Sequence, residues 1–164
     1  MSDTDQQKQR IDSEMPVMPV SVHAQYVKDF SFENPNTPAS LRPSNAKPEM
    51  DVNLVIDAMK IEEEGNPDLY ETTISLTVKS TREGKVLFIS EVAYSALVTV
   101  RNVTQQQAHA ILYVEVPQML FPFARQVIAN AVTSGGFPPL LLNPIDFRAM
   151  YQANRGQQQA TIAA

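Results

Sequence analysis

The 164-residue chain has no cysteine, no tryptophan, two histidines and five glycines. Without cysteine there is no disulfide, no thiol nucleophile and no thiolate metal site, and the composition fits a reducing compartment. The two imidazoles, His23 and His109, fall on different expected elements with no paired-His or HExxH spacing, so structural or surface roles are expected for both. Neither a GxxxxGK[ST] loop nor a GxGxxG turn occurs, so no phosphate cradle is encoded. No uncharged apolar run approaches the ~18 residues of a membrane span. The polar start MSDTDQQKQRIDSEM lacks the apolar centre of a signal peptide. These absences lead us to expect a soluble, cytoplasmic protein that is not an enzyme, with no catalytic residue, no metal and no cofactor.

What is present is an ordinary apolar content, 43 %, in a length that fits one domain. The net charge of −5 argues against a nucleic-acid binder. Its distribution is uneven: residues 20–100 hold twelve acids and seven bases, whereas residues 101–164 hold two acids and four bases. One half of the fold should therefore show an acidic surface, which steers basic partners.

Residues 1–19 are polar and acidic with little to bury, and are expected to form a disordered arm ahead of a domain over 20–159; residues 160–164 are expected to be a disordered tail. VSVHAQYVKDFSF alternates, and an extended strand would place Val20, Val22, Ala24, Tyr26, Phe30 and Phe32 on one face. The four prolines of NPNTPASLRPSNAKP exclude ladder and helix, so this segment should be a long crossing loop. In the second strand Met50, Val52, Leu54, Ile56 and Ala58 oppose Asp51, Asn53 and Asp57. The acidic turn EEEGNPD follows, and its run Glu62–Glu63–Glu64 is read as a solvated loop rather than a cation site. In the third strand Tyr70, Thr72, Ile74, Leu76 and Val78 share a face, and Gly84 marks a hairpin turn. In the fourth, Val86, Phe88, Val92 and Tyr94 should face the core, with Leu87, Ile89 and Ala93 outward.

After Val103 the period lengthens to 3.6. Thr104 should cap a long helix that Pro117 and Pro122 bend or interrupt and Gly135–Gly136 end. Asp146 should cap a short second helix that fades into NRGQQQATIAA. The expected fold class is α+β: a four-stranded antiparallel sheet with one long Pro-interrupted helix and one short C-terminal helix on one face. Such a domain cannot hide all its apolar residues. Tyr113, Val114 and Val116 fall off the main helical stripe, and Phe137, Leu140, Leu141, Leu142 and Ile145 crowd one extended segment. A surplus of this kind points to an oligomer interface, a groove for apolar segments, or both. A small-molecule or catalytic domain would need convergent polar groups, and none are evident.

Two stretches carry a family resemblance. YVKDFSFENPNTP over 26–38 is similar to the first strand and loop of SecB proteins, bacterial chaperones of protein export; VPQMLFPFARQVIANAVTSGGFPPLLLNPIDFRAMY over 116–151 resembles their helix-and-loop half. The resemblance implies an ATP-independent homotetramer, a dimer of dimers. It would bind unfolded precursor polypeptides, keep them translocation-competent and deliver them to the ATPase SecA, without nucleic acid or membrane insertion. A SecB-like chaperone dedicated to one client, such as an antitoxin, is the alternative of the same fold. Carried over residue by residue, the resemblance places a client groove at Phe32, Pro35, Val52, Leu54, Leu142, Phe147, Met150 and Tyr151. It places SecA-binding positions at Asp29, Glu33, Ile89 and Glu91, and alternation independently puts Ile89 and Glu91 on one outer strand face. The chain departs from many relatives in lacking a tryptophan in the crossing loop and acids in its short tail.

Overall fold

Unbroken alternation of apolar and polar residues over two strands builds half of the sheet. The computed structural model describes residues 18–163, with side chains described over 18–155. Four strands, β1 (Val20–Glu33), β2 (Glu49–Lys60), β3 (Leu69–Arg82) and β4 (Lys85–Val100), form one antiparallel sheet in the order β1-β4-β3-β2. The proline-rich 34–48 connection carries the chain from one edge to the other, closing a Greek key. Most of the arm expected over 1–19 lies outside the described residues.

β2 pairs with β3 without a register shift, and Val52, Leu54 and Ile56 stand opposite Val78, Leu76 and Ile74 as alternation predicts. Glu83 and Gly84, both at positive φ, form the two-residue turn between β3 and β4. β1 departs from expectation. Register shifts at His23 and at Lys28 each insert a residue, and each insertion exchanges the strand's faces. Val20, Val22, Phe30 and Phe32 therefore share the helix side with Val100, Val98, Val92 and Ser90, whereas Ala24 and Tyr26 turn to the other face beside Leu97 and Ser95. A further shift at Ser80–Thr81 falls opposite Leu87, which is 6 % exposed rather than outward-facing.

A capping box starts the helical half: the Thr104 hydroxyl accepts from the Gln107 amide at 3.1 Å, and the Gln107 side chain accepts from the Thr104 amide at 2.9 Å. Helix α1 (Gln105–Ala110) runs through a π-turn at Ile111–Glu115 into α2 (Val116–Ser134). The prolines do not interrupt this helix. The Val116 amide bonds to Ile111, five residues back, and Pro117, which has no N–H, follows directly. One additional residue rotates the helix face by about 100°. Val114 and Val116, off the stripe of a regular helix, are buried as a result.

The core lies between the sheet and α2. Ile74, Leu76, Leu120 and Ile128 have no exposure, each burial contributing about 1.5–3 kcal/mol. At the end of α2 the Gly136 amide bonds to Thr133 and the Phe137 amide to Val132, with Gly136 at φ 90°, which is a Schellman cap. Asp146 caps α3 (Phe147–Ala163) by accepting from the Ala149 amide at 2.9 Å. This is the second, C-terminal helix expected from the sequence. Leu141, in the extended connection before it, is 78 % exposed.

Candidate functional site

Two surfaces flank the sheet. On the face away from the helices, pairing between β1 and β4 sets Asp29 beside Ala93, Ser31 beside Glu91 and Glu33 beside Ile89. The four positions expected to meet SecA thus lie close together on one open face. Glu91, Asp29 and Glu33 are exposed and Ile89 is half-buried. No ion pair among the described residues uses the three acids.

Further along that face, the Tyr26 hydroxyl donates to Glu71, which also accepts from Lys28 Nζ at 2.5 Å. Burial, reinforced by the bond to Glu71, pushes the Tyr26 phenol up to about 12. The Lys28 ammonium, then the Tyr26 hydroxyl, hold the Glu71 carboxyl below the usual carboxylate range. The register shift at His23 puts Tyr26 on this face, Lys28 two residues on reaches the same acid, and no pattern in the sequence announces the shift.

The helix side carries the apolar surface, where the structure divides the eight expected groove residues into three groups. Phe32 stacks on Phe88, with ring centroids 5.9 Å apart, and Phe88 meets Phe137 at 5.1 Å. Phe32 also packs on Gly135: a Cβ there would stand 2.3 Å from its ring. Pro35, nearby in the crossing loop, is exposed. Asn34 donates to the Gly135 carbonyl at 3.2 Å and Asn36 to the Val86 carbonyl at 2.8 Å, pinning this end of the loop. An open cavity of about 600 Å³ lies here between β1 and α2, lined by Phe30, Phe32, Val127, Ala131 and Gly135 among others. Apart from Phe32, alternation and stripe alone did not mark these as surface residues.

Val52 and Leu54 form the second group, on edge strand β2, with two strands between them and Phe32. Val52 is 41 % exposed and Leu54 half-buried. The third group follows the extended connection. The Leu142 carbonyl accepts from Arg125 at 3.1 Å, and Met150 and Tyr151 are half-buried on α3. Phe147 differs from the groove surface expected of it: at 3 % exposure, edge-on to Phe121, it anchors α3 in the core. Tyr151 hydrogen-bonds His109 at 2.7 Å, and Arg148 pairs with Glu115 at 2.8 Å, so α3 docks on α1 and the π-turn. The π-turn contacts both β2 and α3. His109 also stacks on Tyr113, and His23 hydrogen-bonds Thr99 at 2.7 Å, so both imidazoles have structural partners.

Among the described residues no cluster of three or more His, Asp or Glu is arranged to hold a metal, and no helix is long and apolar enough to cross a membrane.

Residues 13–159 match the family described as preprotein translocase subunit SecB. The chain is 43 % identical to a protein-export protein SecB of Nitrobacter winogradskyi over 145 residues, 88 % of this chain and 89 % of that one. It is 45 % identical to a protein of the same name from Rhodopseudomonas palustris (strain TIE-1), over 85 % of this chain and 88 % of that one. Its fold is similar to that of a Mycobacterium tuberculosis SecB-like chaperone solved with an antitoxin peptide, with a TM-score of 0.61 at 12 % identity, covering 77 % of this chain and 90 % of that one. With a family match across most of its length and a four-stranded sheet backed by one long helix, the chain belongs to the SecB family of protein-export chaperones.

Proposed function

We propose that this export chaperone works in the cytoplasm as a homotetramer, a dimer of dimers, that holds unfolded precursor polypeptides by binding alone and delivers them to SecA. The observation that carries the reading is apolar surface left over beside a complete core. Val52, Met50 and Leu141 stay exposed on or near the helix side, although the sheet and α2 already bury a continuous cluster. Methionine and leucine side chains adapt to varied apolar segments, which suits a holder of many clients. In this reading Val52, Leu54, Leu142, Met150 and Tyr151, with Phe32 and Pro35 across the sheet, line the path of the client. Phe147 supports that path from beneath.

A second strip of exposed apolar residues, Val22, Val27 and Phe30 on β1 with Phe123 on α2, supplies a surface for neighbouring subunits. A client long enough to touch several subunits gains from high effective concentration, so individually weak contacts suffice. The acidic outer face at Asp29, Glu33 and Glu91, with Ile89 among the acids, is the docking surface for SecA, in keeping with its unpaired charges.

A slow-folding, unfolded precursor diluted into excess chaperone tests the reading. Refolding should slow strongly without added nucleotide; refolding at the uncatalysed rate would overturn it. A chaperone dedicated to one client such as an antitoxin would use the same surfaces. The fold neighbour with its antitoxin peptide, at 12 % identity, bears on fold alone, whereas relatives above 40 % identity are export proteins. Arrest of a single client, with unrelated precursors refolding unhindered, would favour that alternative.

A further inference from the structure

The outer face of β1 owes its acids to a single extra residue. Without the shift at Lys28, alternation from Tyr26 would turn Asp29, Ser31 and Glu33 to the helix side and Phe30 and Phe32 outward. Other contacts fix both ends of this stretch. Tyr26, level with Ser95 on β4, faces outward and bonds Glu71, whereas Phe32 is stacked on Phe88 on the helix side. Between these two anchors one insertion is required, but they do not fix where it falls. An insertion further along, at Phe30 or Ser31, would satisfy both and leave Asp29 facing the helix side.

Glu71 marks the place. Its carboxylate reaches from β3 across β4 to accept from the Lys28 ammonium at 2.5 Å, as well as from Tyr26. The Glu71 side chain is 12 % exposed, so salt and water screen this pair less than one in open solvent. Thr73 and Ser95, hydrogen-bonded at 2.8 Å in the row level with Tyr26, complete the polar patch. We propose that Glu71 is a positioning residue for partner docking: by clamping Lys28 on the outer face it fixes the insertion ahead of Asp29, and so presents Asp29 to SecA. The clamp also occupies the ammonium that neighbours Asp29 in the chain, and no ion pair among the described residues uses Asp29. This role rests on the docking surface proposed above and divides it. Glu33 follows from the placement of Phe32, and Glu91 from strand parity on β4, so Asp29 alone depends on Glu71.

The test is a mutant cycle read by SecA binding to the full-length protein. Asp29→Asn should weaken binding by about fivefold in the parent, the scale of one exposed charge contact. Glu71→Gln with Lys28→Met removes the clamp and keeps the net charge. In that background Asp29→Asn should cost less than about twofold, whereas Glu91→Gln should cost as much as it does in the parent. Lys28→Arg keeps the clamp and should leave the Asp29→Asn cost unchanged. Hydrogen exchange at residues 27–31 should quicken when the clamp is removed. An Asp29→Asn cost equal with and without the clamp would overturn the positioning role and leave the docking surface standing. Loss of the Glu91→Gln cost as well would show that the whole face is disturbed, and would overturn it too. If Asp29→Asn costs nothing in the parent, both the role and the docking surface fail. Delay of precursor refolding reports that the clamp-free variant is folded; if that variant does not fold, Glu71→Gln alone supplies the same comparison.

Discussion

The Thr72 hydroxyl, fully buried on β3, donates to the main-chain carbonyl of Leu112 in the π-turn at 3.3 Å. In a regular helix that carbonyl would accept from Val116, but the Val116 amide bonds instead to Ile111, and the next residue, Pro117, has no N–H. The sheet thus supplies the donor that the widened helical turn withholds. Thr72→Val keeps the shape and deletes the hydroxyl, so it should cost about 1–3 kcal/mol by leaving a buried carbonyl unpaired. Urea unfolding would measure it, and a loss smaller than that of Thr73→Val, on the solvent-facing side, would contradict the assignment.

Glu71 gives stability a defined pH dependence. A carboxyl held low by Lys28 and Tyr26 contributes stability that is complete above its unfolded value and fades as pH falls through its folded value. Glu71→Gln should therefore be less stable than the parent near neutrality, with the gap closing on acidification below the ordinary glutamate value of about 4.3. Tyr26 runs the other way: its phenol, raised to about 12, contributes stability that is complete below the unfolded value and is lost as pH rises towards that figure. Unfolding midpoints across pH would show both, and a Glu71→Gln gap constant from neutral to acid would refute the carboxyl's part.

Phe147 and Met150, three residues apart on α3, should separate anchoring from client contact. Phe147→Ala empties a buried site and should cost about 3–5 kcal/mol. Met150→Ala, half-buried, should change the melting temperature little while weakening capture of an unfolded precursor. Calorimetry paired with a refolding assay distinguishes them, and equal effects of the two substitutions on both readouts would remove Met150 from the client path.

Charge reversal at Asp29→Lys with Glu91→Lys should weaken SecA binding by about tenfold or more, with the parent's affinity falling as salt rises. Client capture should be unchanged, since both acids lie on the face away from α2. Unaltered SecA affinity would discard that docking surface.

The residues that could be read correctly from sequence are those whose local rule was undisturbed. β2 and β3 alternate without a bulge, so every face assignment from Met50 to Val78 holds, and Thr104, Asp146 and Gly136 cap where their side chains or lack of one require. β1 departs from simple alternation because His23 and Lys28 carry no signature of the insertions they make, so Ala24 and Tyr26 lie on the face opposite to the one alternation predicts. Val114 and Val116 misled because the turn that precedes Pro117 widens rather than breaks. Asp29, Glu33, Ile89 and Glu91 come together because Ile89 and Glu91 share strand parity and Asp29 and Glu33 lie beyond both bulges. The expected client residues, drawn from distant segments, depend on docking by Tyr151 and Arg148 that no local pattern encodes.

The Greek key sends β1 and β2 to opposite margins with two strands between them. Three strand spacings, about 14 Å, separate those margins, and Asp29, Glu33 and Glu91 face away from the helix side on which Val52 and Leu54 stand. If the proposed function holds, cargo and recipient would meet opposite faces of one sheet. Unloading need not then precede docking, and delivery would turn on when the carrier departs.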